Sequence, residues 1–306
     1  MWIIKNRRIF YIISSTIVAL SLATLLVFGV KFGIDFTGGS LVEVRFEDGR
    51  PALGEVQDIV DNLDFITDSS LRESGEASMV LRSQSITNIQ KDTILETLSE
   101  SYTITEERFS TIGPSLGSEL QTKSVFAVVV ALILIVLFVA YAFRLVSKPV
   151  SSGKYGLITV VAFLHDLIIP LGVFALLGVT TGLEVDSLFV TALLVILGYS
   201  INDTIIVFDR IRENLLAASE ESRVKRFEKI VGKSIEETYA RSINTSFTTI
   251  IALGALYVFG GVSTQAFALA LIVGVVAGTY SSIFLASSLL VTVKKYQDKK
   301  IGTKKA

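Results

Sequence analysis

The sequence contains no cysteine and a single histidine, and both shortages restrict the sites that the chain can form. Without cysteine there is neither a disulfide framework nor a cysteine-based metal site. The single histidine, His165, has no second ligand at metal-binding spacing, which disfavours a metal site. We therefore expect the protein to hold no metal and no cofactor.

Charged residues are also scarce: they make up 19% of the 306 residues, whereas hydrophobic residues make up 51%. The mean hydropathy of +0.61 excludes a soluble domain of ordinary composition. The apolar residues are gathered in runs of about 20, the length that a helix needs to cross a bilayer. The first run is too long for the hydrophobic part of a cleaved signal peptide, so we interpret it as a retained helix. The sequence predicts an integral membrane protein with six membrane-spanning helices, at Ile9–Val30, Ser124–Phe143, Tyr155–Val179, Ser187–Phe208, Ile243–Gly261 and Thr264–Val293.

Lysine and arginine clusters fall on one side of the membrane when the crossings are counted along the chain. They precede the first span, fill the loop after the second around Arg144 and Lys148, follow the fourth, and end the chain at Lys304 and Lys305. Because cytoplasmic loops carry an excess of positive residues, this side is predicted to be the cytoplasm. We expect a multi-pass protein of the cytoplasmic membrane, with both termini inside, a cytoplasmic loop at residues 209–242 and a basic cytoplasmic tail. The mixed charges of that loop favour either a solvated helix or an amphipathic helix on the membrane surface or on a partner.

The long segment on the opposite side, residues 31–122, is predicted to be an external domain. Residues 1–30 then hold the N-terminus and the first span, and residues 123–306 hold the other spans. The segment carries 17 Asp and Glu against 7 Lys and Arg, so its surface is acidic. Its residue periodicity predicts a small α+β domain with helices on one face of a sheet. We expect strands at Ser40–Phe46, Ala77–Leu81 and Tyr102–Ile112, helices at Ala52–Leu63 and Thr87–Ser101, and a turn back toward the membrane at Gly113–Gly117.

Three glycines follow the first span, at Gly33, Gly38 and Gly39. A glycine-rich stretch can bind phosphate, but no Gly-Lys-Ser/Thr follows and no helix is expected to open here, so a nucleotide loop is disfavoured. We interpret the segment as a tight backbone turn between helix and strand, with Asp35 as a cap of that turn.

The fourth span carries a carboxylate where one is costly. Asn202 and Asp203 lie inside its apolar run, and an ionisable residue left unpaired in lipid costs roughly 3 kcal/mol or more. Helical spacing places Tyr199, Ser200 and Asp203 on one face, so this face is predicted to look into a helix bundle. The residues are either hydrogen-bonding contacts between helices or a site at which protons bind.

Two other polar groups lie in or beside the spans. His165 and Asp166 lie near the middle of the third span and serve either as a structural hydrogen-bonded pair or in proton movement. Arg241, at the start of the fifth span, is either an ordinary positive anchor or a partner for Asp203. Asp203 lies about five residues, or roughly 8 Å, from the cytoplasmic end of its own span.

If spans four and five pack side by side, Arg241 would pair with Asp203 and keep it ionised. Moving Arg241 away would then let the carboxylate take a proton, which makes the pair an alternating gate. Four surrounding polar side chains are expected to orient the carboxylate or hold water: Tyr199, Ser200, Asn202 and Thr204. Asp209 and Arg210 are expected to extend this supporting polar face.

The run Gly-Tyr-Ser-Ile-Asn-Asp-Thr at residues 198–204, followed by Phe-Asp-Arg-Ile-Arg-Glu-Asn at 208–214, resembles the fourth membrane helix of the SecD/SecF family of bacterial protein-export subunits. The chain resembles the same family in three further runs: Gly-Ile-Asp-Phe-Thr-Gly-Gly at 33–39, Leu-His-Asp at 164–166 and Arg-Ser-Ile-Asn-Thr-Ser at 241–246. The resemblance implies a ferredoxin-like external domain, membership of the resistance-nodulation-division superfamily, and proton conduction at Asp203 and Arg241.

The resemblance also implies a function. The chain would be a non-enzymatic subunit that works with SecD to promote protein export, with protons as the coupling ion. Its partners would be SecD, the SecYEG translocon, YajC, exported polypeptide chains and membrane lipid, and not nucleic acid. One alternative is a half-transporter of lipid or small molecules, although that class predicts two external domains and twelve spans in one chain. The other, an intramembrane aspartyl protease using Asp166 and Asp203, needs a Gly-x-Gly-Asp run that the sequence lacks.

Overall fold

The structure is a computed structural model, and it describes residues 2–67, 69–143 and 150–303. The basic residues Arg144, Lys148, Lys304 and Lys305, on which part of the predicted orientation rests, lie outside the described residues. Within the described ranges, six helices are long and apolar enough to cross a membrane, which confirms the predicted number. We call them spans 1 to 6: Arg7–Phe28, Pro114–Ala142, Ser152–Thr180, Ser187–Ala217, Phe227–Phe259, and a sixth that is α-helical over Val262–Tyr280 and Ser287–Thr303 with a π-helical turn at Ser281–Ala286.

The helices extend beyond the apolar runs that predicted them. Span 2 begins at Pro114, so the turn predicted at Gly113–Gly117 is wrong. Proline suits the first helical position, where its missing N–H has no partner to lose. Span 4 continues to Ala217 and span 5 begins at Phe227, so most of the charged loop between them is helical. Hydropathy detects only the apolar part of such helices, because their charged ends leave the apolar run without leaving the helix.

The described residues fall into two compact units. One comprises Lys31–Phe126 and Thr180–Leu188, and the other comprises most of the six spans. In the membrane-span unit, spans 3 and 4 meet the residue that follows span 2, Phe143, in an aromatic cluster. Phe143 stacks on Tyr155 with 5.3 Å between ring centroids, and Phe208 packs edge-on against both rings. All three side chains are buried, so they fix how these helices meet.

The smaller unit contains a four-stranded antiparallel sheet with the order β2-β3-β1-β4. Helix Leu53–Asp61 follows β1, and helix Asn88–Ser99 follows β3. This βαββαβ order confirms the ferredoxin-like expectation. The strands are β1 (Gly39–Phe46), β2 (Ser69–Ser74), β3 (Ser78–Ser83) and β4 (Ile104–Ile112).

The two helices cover one face of this sheet, as predicted. Val42 and Val44 of β1 pack with Val56, Val60 and Ile94 of the helices in one apolar core. Strand β2 is absent from the sequence prediction because its segment Ser-Ser-Leu-Arg-Glu-Ser has one apolar residue and therefore no alternating pattern. It forms as the partner of β3, with which it pairs over its whole length.

Candidate functional site

A fully buried carboxylate, Asp166 of span 3, lies at the centre of a hydrogen-bond network. Its Oδ1 is 2.8 Å from Nδ1 of His165. Its Oδ2 accepts hydrogen bonds from Ser200 of span 4 at 2.5 Å and from Ser281 of span 6 at 2.8 Å. Because buried carboxylates are stable only when hydrogen-bonded, these donors account for how the bundle tolerates Asp166.

His165 extends the same network to span 1. Its Nε2 is 3.4 Å from the hydroxyl oxygen of Ser14, and its ring stacks on Tyr280 with 6.0 Å between centroids. His165 and Ser14 are both buried. The His165–Asp166 pair therefore joins spans 1, 3, 4 and 6, which is consistent with the structural interpretation left open by the sequence.

Three hydrogen-bonding members of this network were not predicted: Ser14 of span 1, and Ser281 and Ser282 in the π-helical turn of span 6. Ser282 is buried, with its hydroxyl 2.7 Å from that of Thr204, and it also donates to the carbonyl of Ser200 at 3.4 Å. π-Helical turns are rare overall, and those that occur are often found at functional sites. The available sequence signal was the pair of serine doublets at 281–282 and 287–288 within an apolar run.

Asp203 of span 4 is buried in a different hydrogen-bond environment. It is 5% exposed, and its Oδ1 accepts a hydrogen bond from Ser242 of span 5 at 2.5 Å. Its Oδ2 is buried and has no hydrogen-bond partner among the described residues. A buried polar atom without a partner is unusual, and one explanation is a group that changes its protonation state. Asp203 differs in this respect from Asp166, whose two oxygens are both paired.

Spans 4 and 5 pack side by side, as the predicted gate requires, but Arg241 is not beside Asp203. The hydroxyl of Tyr199 donates to Ser246 at 3.1 Å, which joins the two spans one turn away from the Asp203–Ser242 contact. The side chain of Arg241 is exposed and forms no ion pair within the described ranges. Its neighbour Ser242 faces Asp203 instead. In this structure the predicted pair is therefore open, and its closure remains a hypothesis.

The other predicted residues of span 4 divide into three groups. Ser200 and Thr204 are fully buried and Tyr199 is half-buried, which confirms that this face looks into the bundle. Asn202 is exposed because one residue along a helix rotates the side chain by about 100°.

Asp209 and Arg210 belong to a separate, more exposed set of ion pairs. Asp209 bonds Arg212 at 3.0 Å, and Arg210 bonds Glu213 at 2.5 Å and Glu237 of span 5 at 2.6 Å. Contacts of this kind contribute little to stability at the surface. They join the ends of spans 4 and 5 and do not reach Asp203.

The glycine segment after span 1 forms a tight turn, as predicted. Gly38 and Gly39 have φ angles of +73° and +119°, which favour glycine. A short helix at Ile34–Thr37 opens here, contrary to the expectation of none. The cap assigned to Asp35 is also wrong, because its Oδ2 accepts hydrogen bonds from the backbone N–H of Ser187, at 2.9 Å, and from the Ser187 hydroxyl. Asp35 therefore caps the start of span 4.

Comparison with known proteins agrees with these features. A family model described as protein export membrane protein SecD/SecF, C-terminal, matches residues 90–296, and the SecD/SecF GG motif matches residues 24–49. Protein translocase subunit SecF of Thermobaculum terrenum is 40% identical over 95% of this chain and 93% of that protein. The SecF subunit of Anaerolinea thermophila is 36% identical over 94% and 92%.

Two solved structures have the same fold. SecDF of Thermus thermophilus, described as a translocon-associated membrane protein, matches 95% of this chain with a TM-score of 0.83 and 30% identity. SecDF in a super-membrane-facing form matches 98% of this chain with a TM-score of 0.69 and 29% identity. The chain spans 38% and 40% of the lengths of those two SecDF chains.

Proposed function

The chain belongs to the SecD/SecF family of protein-export membrane proteins, and we propose that it uses the proton motive force, together with SecD, to promote protein export. Members of this family are subunits of the Sec protein translocase and are not catalytic enzymes. The proposal concerns how such a subunit works: protons are the coupling ion, no cofactor is bound, and the unit containing the sheet is the external domain that acts on emerging polypeptides.

The half-paired carboxylate of Asp203 is the observation that carries the proposal. When ionised, Asp203 has one hydrogen-bond donor among the described residues for two buried oxygens, whereas a protonated carboxyl group needs fewer donors. Binding a proton therefore lowers the cost of burying this side chain. Arg241 lies next to Ser242 in sequence and its side chain is exposed, so its approach to Asp203 would favour release of the proton.

Asp166 is assigned a different role in this proposal. Its oxygens already have three neighbours within hydrogen-bond distance, from His165, Ser200 and Ser281. Both oxygens of this carboxylate are therefore satisfied by hydrogen bonds to neighbouring side chains. We propose that the His165–Asp166 pair holds spans 1, 3, 4 and 6 together while Asp203 exchanges protons.

Exposed polar side chains on spans 4 and 5 support the proposal that SecD packs against this chain in the membrane. Asn202, Asn244 and Thr245 lie on the outer surface of this chain, where lipid contact would be unfavourable. A second membrane protein covering them would remove that cost. The other proposed partners are the SecYEG translocon, YajC and exported chains. The clusters of basic residues support a location in the cytoplasmic membrane, with both termini on the cytoplasmic side.

The test is replacement of Asp203 by the uncharged isostere in the chain assembled with SecD and the translocon. Protein export and proton flux are measured in the same membrane vesicles. Asp203→Asn is expected to abolish both, and Asp209→Asn, which alters an exposed carboxylate of the same helix, is expected to preserve both. Normal export and flux in Asp203→Asn would refute the proposal.

A further inference from the structure

We infer that residues 33–39 and two arginines of the sheet link the external domain mechanically to span 4, the helix that carries Asp203. The inference rests on the proposed function, because it concerns how proton exchange and movement of the external domain are joined. We call residues 33–39 the junction segment and residues 181–186 the span 4 loop. All contacts described below lie within the unit that contains the sheet.

Backbone hydrogen bonds attach the span 4 loop to the start of the junction segment. The N–H of Gly33 donates to the carbonyl of Val185 at 2.9 Å, and the N–H of Val185 donates to the carbonyl of Lys31 at 2.8 Å. Phe32 and Val185 form a parallel β-bridge. The loop therefore moves with the chain that enters the external domain.

Two arginines attach the same loop to the sheet. Arg82 of β3 pairs with Glu184 at 2.8 Å, donates to Thr37 at 2.6 Å and to the carbonyl of Phe32 at 3.2 Å. The Arg82 and Glu184 side chains are only 28% and 18% exposed, so their pairing is less screened than that of a surface pair. Arg72 of β2 donates to the carbonyl of Gly182 at 2.8 Å. Two of the four strands thus hold the loop.

Asp35 fixes the beginning of span 4 itself. A helix starts with N–H groups that have no partner within the helix, and its N-terminal end attracts negative charge. Asp35 satisfies one of these groups at Ser187 and also accepts from the serine hydroxyl, across 152 positions of sequence. Asp203 follows in the same unbroken helix, about 24 Å further along its axis at 1.5 Å per residue. A displacement of the capped end therefore displaces the segment that holds the carboxylate.

Close packing restricts movement of the junction segment. A methyl group on Gly39 would lie 2.7 Å from the carbonyl oxygen of Ser83, and one on Gly38 would lie 2.8 Å from Cα of Pro114. Gly117, in the first turn of span 2, approaches the backbone N of Gly38 in the same way, at 2.8 Å from its added methyl. Since these neighbours are backbone atoms, the segment cannot move toward the sheet or toward the start of span 2 without displacing them.

The experiment breaks the link and measures export and proton flux in the same vesicles, with the full chain assembled with SecD and the translocon. Asp35→Ala is expected to lower export by about fivefold, the factor that corresponds to loss of a helix cap, while most of the flux remains. Arg82→Gln is expected to lower export with the flux likewise retained, because it breaks the ion pair with Glu184. Asp35→Asn retains an acceptor oxygen and is expected to retain export. Arg50→Gln is the matched control, because Arg50 pairs with Glu73 in the same domain without touching the span 4 loop.

Two results would overturn the inference: export in Asp35→Ala and Arg82→Gln equal to that in Arg50→Gln, or export and flux lost together as in Asp203→Asn. Asp203→Asn in the same assay reports on the proposed function alone. Normal export and flux in that variant would contradict the proposed function, whatever the link variants do.

A covalent link removes any dependence on variant stability. Because the chain has no cysteine, Arg82→Cys with Glu184→Cys places a single pair of thiols across the broken contact. A short bifunctional reagent is expected to restore export in this double variant and to have no effect on a chain without introduced thiols. Cross-linking that forms but leaves export low would refute the mechanical link.

Discussion

Ser242 donates a hydrogen bond to Asp203 across the interface of spans 4 and 5, with 2.5 Å between the two oxygens. The sequence predicted Arg241 as the partner of Asp203, whereas the structure places the next residue, Ser242, beside it. This contact gives the buried carboxylate one partner and leaves its second oxygen without one among the described residues. The site is therefore open to a proton and has a guanidinium close by in sequence.

Removing the Ser242 hydroxyl is expected to impair proton flux. Ser242→Ala leaves both oxygens of Asp203 without a donor from the part of the chain that the structure describes. A hydrogen bond to a charged group is worth about 2 kcal/mol, so we expect a loss of flux of about tenfold or more. Ser242→Thr keeps the hydroxyl and is expected to retain most of the flux. Flux measured in sealed vesicles decides the matter: equal flux in the two variants would contradict the role given to the hydroxyl.

The two buried carboxylates are expected to differ in their effect on stability. Asp166→Ala leaves buried donors on several spans without an acceptor, and breaking such a network costs about 3 kcal/mol or more. Asp203→Ala removes one hydrogen bond and is expected to cost less. Thermal unfolding in one detergent ranks the two variants, and a larger loss for Asp203→Ala would reverse the roles assigned here.

Alanine variants at Gly39 and Gly49 distinguish the cost of backbone strain from the cost of a steric clash. Both have positive φ angles, +119° and +98°, but an added methyl meets the Ser83 carbonyl at Gly39 and meets nothing within 4 Å at Gly49. Gly49→Ala is expected to cost about 1 kcal/mol through strain alone, and Gly39→Ala considerably more. Resistance of the external domain to proteolysis in the intact chain measures the difference. Similar protection in both variants would argue against close packing at the junction segment.

Acid should weaken one contact within the external domain. Hydrogen bonds from Ser69 and Gln57 lower the pKa of Asp61 below its ordinary value of 3.8. A carboxyl group whose folded-state pKa is lowered stabilises the fold above its unfolded pKa, and this contribution disappears as the pH falls through the folded value. Ser69→Ala is therefore expected to lower the unfolding temperature at pH 7 and to change it less near pH 3. An equal change at both pH values would exclude the linkage.

The sequence carried strong signals for the spans and for the ferredoxin-like order, because both depend on local periodicity. It carried weak signals for contacts between helices. Whether Arg241 or Ser242 faces Asp203 depends on helix rotation, which changes by about 100° per residue. Serines such as Ser281 are difficult to assign, since a hydroxyl in a membrane helix can bond its own backbone instead of a neighbour. Asp35 was assigned to its own turn because the loop that it caps is 152 positions away.

Protonation of Asp203 itself is the most direct test of the account. Infrared difference spectra of the chain assembled with SecD, recorded in vesicles as a proton gradient is applied, detect a carboxyl group that gains a proton. We expect a protonated-carboxyl band that is lost in Asp203→Asn and kept in Asp209→Asn. In Arg241→Gln we expect the band to persist when the gradient is reversed. A gradient-dependent spectrum that is unchanged by Asp203→Asn would contradict the claim that this carboxylate exchanges protons.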